Sequence, residues 1–80
     1  MRSIKVQYFA MLREKAGVES EFFSGDFNTH IELYELLDKK YNFDLPFSMV
    51  QVAANDEFTS MESLVSDEST VVFIPPVAGG

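Results

Sequence analysis

Thr70-Val71-Val72-Phe73-Ile74-Pro75-Pro76-Val77-Ala78-Gly79-Gly80 closes the sequence and decides how the rest is read. Val71 to Ile74 are four consecutive apolar residues, without the polar alternation of a strand that keeps one face in water. Such a strand needs cover on both faces, which places it in the middle of a sheet. Only one long amphipathic helix is available elsewhere, enough for one face. The second face is therefore expected to meet another protein.

After Ile74 the chain changes character. Pro75 and Pro76 have a fixed φ and no N–H to donate, so strand pairing stops and a stiff, extended segment begins. This divides the chain into a folded body, residues 1–74, and a flexible tail, residues 75–80. Six extended residues reach roughly 20 Å, enough to thread into another protein while the body docks outside. Gly79 and Gly80 lack side chains, so they fit a narrow channel and expose the terminal carbonyl to close approach. Two glycines alone are equally a floppy end. Their place just after Pro75-Pro76-Val77-Ala78 and a central strand gives them weight. The Gly80 carboxylate is a poor electrophile until its oxygen attacks the α-phosphate of ATP. Sulfide or a persulfide can then displace the nucleotide, leaving a thiocarboxylate. The chain has no Cys, so any sulfur it carries must ride at Gly80.

Working back from the last strand, Ile4, Val6 and Tyr8 alternate with Lys5 and Gln7 as a first strand. Ala10 to Ala16 reads as a short helix ended by Gly17. Glu19 to Phe23 reads as a second strand, turning at Ser24-Gly25-Asp26. Thr29 and Glu32 form the capping box of the main helix, whose apolar stripe is Leu33, Leu36, Leu37 and Tyr41. Glu35 and Lys39 are spaced for an ion pair on its wet side. The helix ends near Tyr41-Asn42, before Leu45-Pro46. Met49 to Ala54 is a third strand, Asn55-Asp56 a turn, and Glu57 to Thr59 a short fourth strand. Ser60 to Ser69 is a loop or one turn pinned by Leu64. The sum is an α+β fold of the β-grasp type, a mixed sheet with one main helix packed on one face.

Composition excludes several classes. Eighty residues make a single domain, 46% hydrophobic, and eight Phe with three Tyr supply the bulk a small core needs. Without Cys there is neither a disulfide framework nor a thiolate metal site, which suits a reducing cytoplasm. The start of the chain is no signal peptide, and no segment approaches the roughly 20 apolar residues of a membrane span. A net charge of -7 with six basic residues speaks against nucleic acid as a partner. His30 stands alone, so no metal is expected. Asp56-Glu57 and Asp67-Glu68 are adjacent carboxylates in solvated loops, poor candidates for acid–base work. The chain is not expected to have an active site of its own.

The sequence resembles MoaD, the ubiquitin-like small subunit of molybdopterin synthase. The resemblance lies in Ile4 to Gly17, with its strand followed by Phe9-Ala10-Met11-Leu12-Arg13-Glu14, in Val52-Ala53-Ala54-Asn55, and most specifically in Val72 to Gly80. It implies that an E1-like, MoeB-like enzyme spends ATP to adenylate Gly80 and that a sulfur donor converts the adenylate to a thiocarboxylate. No cofactor is then bound permanently. The tail would enter a MoaE-like large subunit, in a heterotetramer, and give sulfur to a cyclic pyranopterin precursor in molybdenum cofactor biosynthesis. By resemblance, Phe9, Phe58 and Ile74 are the apolar residues that dock on partners. The family often has Asp-Gly-Asp before its last strand; Ser66-Asp67-Glu68-Ser69 must build that turn without Gly. Three alternatives stay open. These are a sulfur carrier of another pathway such as thiamine synthesis, a modifier joined to protein lysines, and a binding module with an inert tail.

Overall fold

A computed structural model of the protein describes residues 2–76. Its elements are β1 (Arg2–Tyr8), α1 (Ala10–Ala16), β2 (Ser20–Gly25), α2 (His30–Tyr41), a 3-10 turn (Phe47–Met49), β3 (Gln51–Ala54), β4 (Glu57–Thr59) and β5 (Thr70–Ile74). The sheet order is β2-β1-β5-β3-β4; β1 and β5 run parallel and every other neighbouring pair is antiparallel. This is the expected mixed sheet with β5 inside it. Both helices contribute to one core, through Leu12 of α1 and Leu33, Tyr34 and Leu37 of α2.

Local signals explain most of the element ends. Gly17 ends α1 at φ 78°, donating its N–H to the Arg13 carbonyl. The Thr29 hydroxyl accepts from the Glu32 N–H while the Glu32 carboxylate accepts from Thr29 N, so the capping box forms as read. Asn42 closes α2 in the left-handed region. Asn55 and Asp56, at φ 51° and 70°, form the two-residue turn between the paired residues Ala54 and Glu57.

The structure corrects four details. The third strand begins at Gln51 rather than Met49, because Phe47–Met49 coils into a 3-10 turn behind Pro46, with Met49 N bonding Pro46 O. The second strand runs to Gly25, since pairing with β1 extends to Arg2. On α2 the buried set is His30, Leu33, Tyr34 and Leu37, and Leu36 lies only half-buried beside it. The stripe follows the i, i+3, i+4, i+7 spacing, which admits Tyr34 because its hydroxyl reaches the Leu45 carbonyl at 2.7 Å. The loop before β5 is pinned by Val65, which is buried, while Leu64 is 71% exposed. Val65 N donates to Asn28 O, and Arg2 ties the loop down through the carbonyls of Phe27 and Val65 and the Asp67 carboxylate.

Val71 and Phe73 of β5 point into the core, while Val72 and Ile74 are half-buried on the opposite face. The register aligns Gln7, Val72, Ala53 and Phe58 in one row across that face. Apolar side chains on both sides of β5 thus become a closed inner face and a partly open outer one.

Candidate functional site

The parallel pairing of β1 and β5 builds the site. Tyr8 lies opposite Phe73, so the residues next along each chain segment, Phe9-Ala10 and Ile74-Pro75, run on side by side. Together with Met11, Glu14 and Pro76 they line an open, mainly apolar groove at the root of the tail. Pro75 is buried and Pro76 exposed. Phe9 forms one rim at 52% exposure.

The wall formed by Phe9 to Met11 is held in an uncommon geometry. Phe9 is extended, and the next residue, Ala10, opens α1 at φ 50°. A side-chain-bearing residue pays for that left-handed conformation. The Phe9 carbonyl accepts from Leu12 N at 3.0 Å, which locks the turn. On the other side, Met49 and Val50 turn their N–H groups back to Pro46 O and Phe47 O, so neither carries the pairing with β5 past Ile74.

A polar brace holds the end of β1 just before the groove. Glu21 of β2 accepts from the hydroxyls of Tyr8 and Tyr41 and lies 3.4 Å from Lys40 Nζ. Burial pushes the Glu21 carboxyl up, but the hydrogen bonds from Tyr41 and Tyr8 and the Lys40 charge outweigh it and hold it below its ordinary value. Burial and the Glu21 hydrogen bond push the Tyr8 hydroxyl far up, so it stays protonated and donates. The brace fixes where the strand ends; its groups do not reach the groove lining.

Of the sequence-derived site residues, the structure brings Phe9, Ile74, Pro75 and Pro76 to one place. Phe58 stands apart on β4, 73% exposed, on the outer face with Ile74 but beyond β3. Val77, Ala78, Gly79 and Gly80 lie outside the described residues. Met11 belongs to the groove and was not singled out from sequence; its position on α1 gives no signal until the register is known. Phe22, 74% exposed at the β2 end of the sheet, was also missed. The Phe22-Phe23 doublet is its signal, since successive strand residues face opposite ways and only one Phe can turn inward. Among the described residues no cluster of three His, Asp or Glu could hold a metal ion. Nor is any helix among them long and apolar enough to cross a membrane.

The β-grasp body places the chain in the ubiquitin-like class of small proteins. The chain belongs to the ThiS family, which matches residues 6–80, and within it to the MoaD type. It is 32% identical to the molybdopterin synthase sulfur carrier subunit of Haemophilus influenzae, over 96% of this chain and 99% of that protein. The small archaeal modifier protein 1 of Methanosarcina acetivorans has the same fold, with TM-score 0.77 and 26% identity, over 100% of this chain and 98% of that one. So does a chain in the complex of subunits 1 and 2 of molybdopterin-converting factor from Helicobacter pylori. There the TM-score is 0.64 and the identity 24%, over 98% of this chain and 99% of that one.

Proposed function

We propose that this chain is the sulfur carrier subunit of a molybdopterin synthase and that its working group is the Gly80 carboxylate. The observation that carries this reading is the full-length similarity to a sulfur carrier subunit, joined to an apolar groove at the point where the tail leaves the body. An E1-like activating enzyme, MoeB-like, would bind the body and transfer AMP from ATP to the carboxylate, releasing pyrophosphate. Sulfide supplied by a donor attacks the acyl carbon, AMP leaves, and a thiocarboxylate remains. This chain's contribution is presentation: it brings a side-chain-free end to its partner's active site and has no cofactor of its own. The charged carrier then docks on a MoaE-like large subunit in the cytoplasm and gives up its sulfur to the cyclic pyranopterin precursor. The Helicobacter complex supports the large-subunit partner by analogy. Phe9 and Phe58, which are exposed, and Ile74, half-buried on the outer face, are proposed as docking residues.

The likeness to an archaeal modifier favours a second reading, in which the activated Gly80 is passed to lysine amines of other proteins. Both readings share adenylation and differ in the acceptor.

Intact-mass measurement of the full chain with ATP, an E1-like enzyme and sulfide tests the proposal. A gain of about 16 mass units at Gly80, oxygen replaced by sulfur, is expected, and none in a chain lacking Gly80. Lysine-linked adducts without a thiocarboxylated pool would support the modifier reading instead.

A further inference from the structure

We infer that Pro75 is a positioning residue: buried where it lines the groove with Phe9, Ala10, Met11 and Ile74, it anchors the tail so that only Pro76 onward extends from the body. The inference rests on the carrier reading and adds to it the point from which the tail is measured. Three observations carry it. Pro75 is buried whereas Pro76 is exposed, so the change from body to tail falls between two chemically identical residues. Burial there suits proline in particular, because it has no N–H that would need a partner. The same groove is lined by Ala10 in a left-handed conformation, the kind of local strain that persists where surrounding structure over-determines it.

The consequence is geometric. Five residues, Pro76 to Gly80, span at most about 18 Å when extended, measured from a fixed point. A swinging tail would have to search for its partner's channel on each encounter. An anchored one starts from a single point on the docked body, and small misplacements of a reacting group lower the rate steeply.

The test is steady-state thiocarboxylation of the full chain by an E1-like enzyme with ATP and sulfide, varying the carrier concentration. In Pro75→Gly, kcat is expected to fall by about tenfold or more with the half-saturating carrier concentration unchanged. Partial unfolding would do the opposite, raising the half-saturating concentration while leaving kcat alone, and that outcome overturns the inference. A second variant, with one extra Gly between Pro76 and Val77, leaves every body residue in place and is expected to lower kcat several-fold. Wild-type kcat in both variants also overturns the inference, while the carrier reading stands. A wild-type chain that gains no sulfur at all overturns both.

Discussion

The Tyr8 hydroxyl donates a 2.6 Å hydrogen bond to the Glu21 carboxylate, joining the last residue of β1 to the neighbouring strand through side chains as well as backbone. Tyr41, at the end of α2, donates to the same carboxylate, so one half-buried acid ties two strands and the main helix together. Hydrogen bonds to a charged acceptor are the stronger kind, and removing the acceptor leaves two hydroxyls to be resolvated or stranded. Glu21→Ala is therefore expected to destabilise the protein by about 2–3 kcal/mol, read as a lowered urea midpoint. Because the Glu21 carboxyl is held below its ordinary 4.5, its contribution is complete above that pH and is lost as pH falls through the lower folded-state value. In Glu21→Gln that acid-side loss should be reduced.

His30 gives stability a second pH dependence, in a different window. Its Nδ1 lies 3.0 Å from the Ser63 carbonyl, which fixes the proton there, and Nε2 is buried without a hydrogen-bond partner. Protonating Nε2 would bury a charge at the N-terminus of α2, beside the positive end of the helix dipole. Burial pushes the imidazole below its ordinary 6.5, and the bond to the Ser63 carbonyl offsets this only in part. The unfolded chain then binds a proton that the folded one refuses. Stability should fall as pH drops below 6.5 and level off beneath the folded-state value. Urea midpoints measured from about pH 7.5 down to about pH 5 should show this fall, and His30→Gln should flatten it. An equal slope in that variant would place the titration elsewhere.

What could be read from residues alone was what short-range chemistry decides. The bounds of α1, the capping box at Thr29 and Glu32, and the Asn55-Asp56 turn each depend on a few adjacent side chains, and all stand as read. The errors fall where distant partners decide. Nothing local distinguishes Leu64 from Val65; Arg2 and Asn28, far away in sequence, choose which one is buried. Tyr34 falls outside the stripe read from the sequence, and it can be buried because the Leu45 carbonyl accepts its hydroxyl. The same holds for the candidate site. Pro75-Pro76 and the Gly-Gly end announce themselves by order along the chain, but the groove exists only because β1 and β5 run parallel with Tyr8 beside Phe73.

The turn before β5 shows how this chain manages without the glycine that its relatives often use there. Glu68 itself adopts φ 64°, and Ser69 secures the turn by donating its hydroxyl to Ser66 O at 2.7 Å. A residue with a Cβ is strained in that region, and a glycine is not. Glu68→Gly is expected to stabilise the fold by about 0.5–1 kcal/mol, net of the larger entropy glycine loses on folding. The measurement is the shift in thermal or urea midpoint. A loss of stability would show that the Glu68 side chain contributes more than its backbone costs.

The two faces of the sheet predict opposite outcomes for two substitutions. Leu37 is fully buried beneath the sheet, and Leu37→Ala should open a cavity that costs about 2–5 kcal/mol. Phe58 is 73% exposed on β4, where it pairs with Ala53 and faces away from the core. Phe58→Asp should change stability by less than about 1 kcal/mol, since an exposed edge-strand position has little packing to lose. If the outer face docks on the large subunit, the same change buries an unpaired charge against an apolar patch. Binding should then weaken by about tenfold or more. Urea midpoints give the first quantity and titration calorimetry against a MoaE-like subunit gives the second. A Phe58→Asp chain that binds as tightly as wild type would move the docking surface off β4 and leave the tail-root groove as its centre.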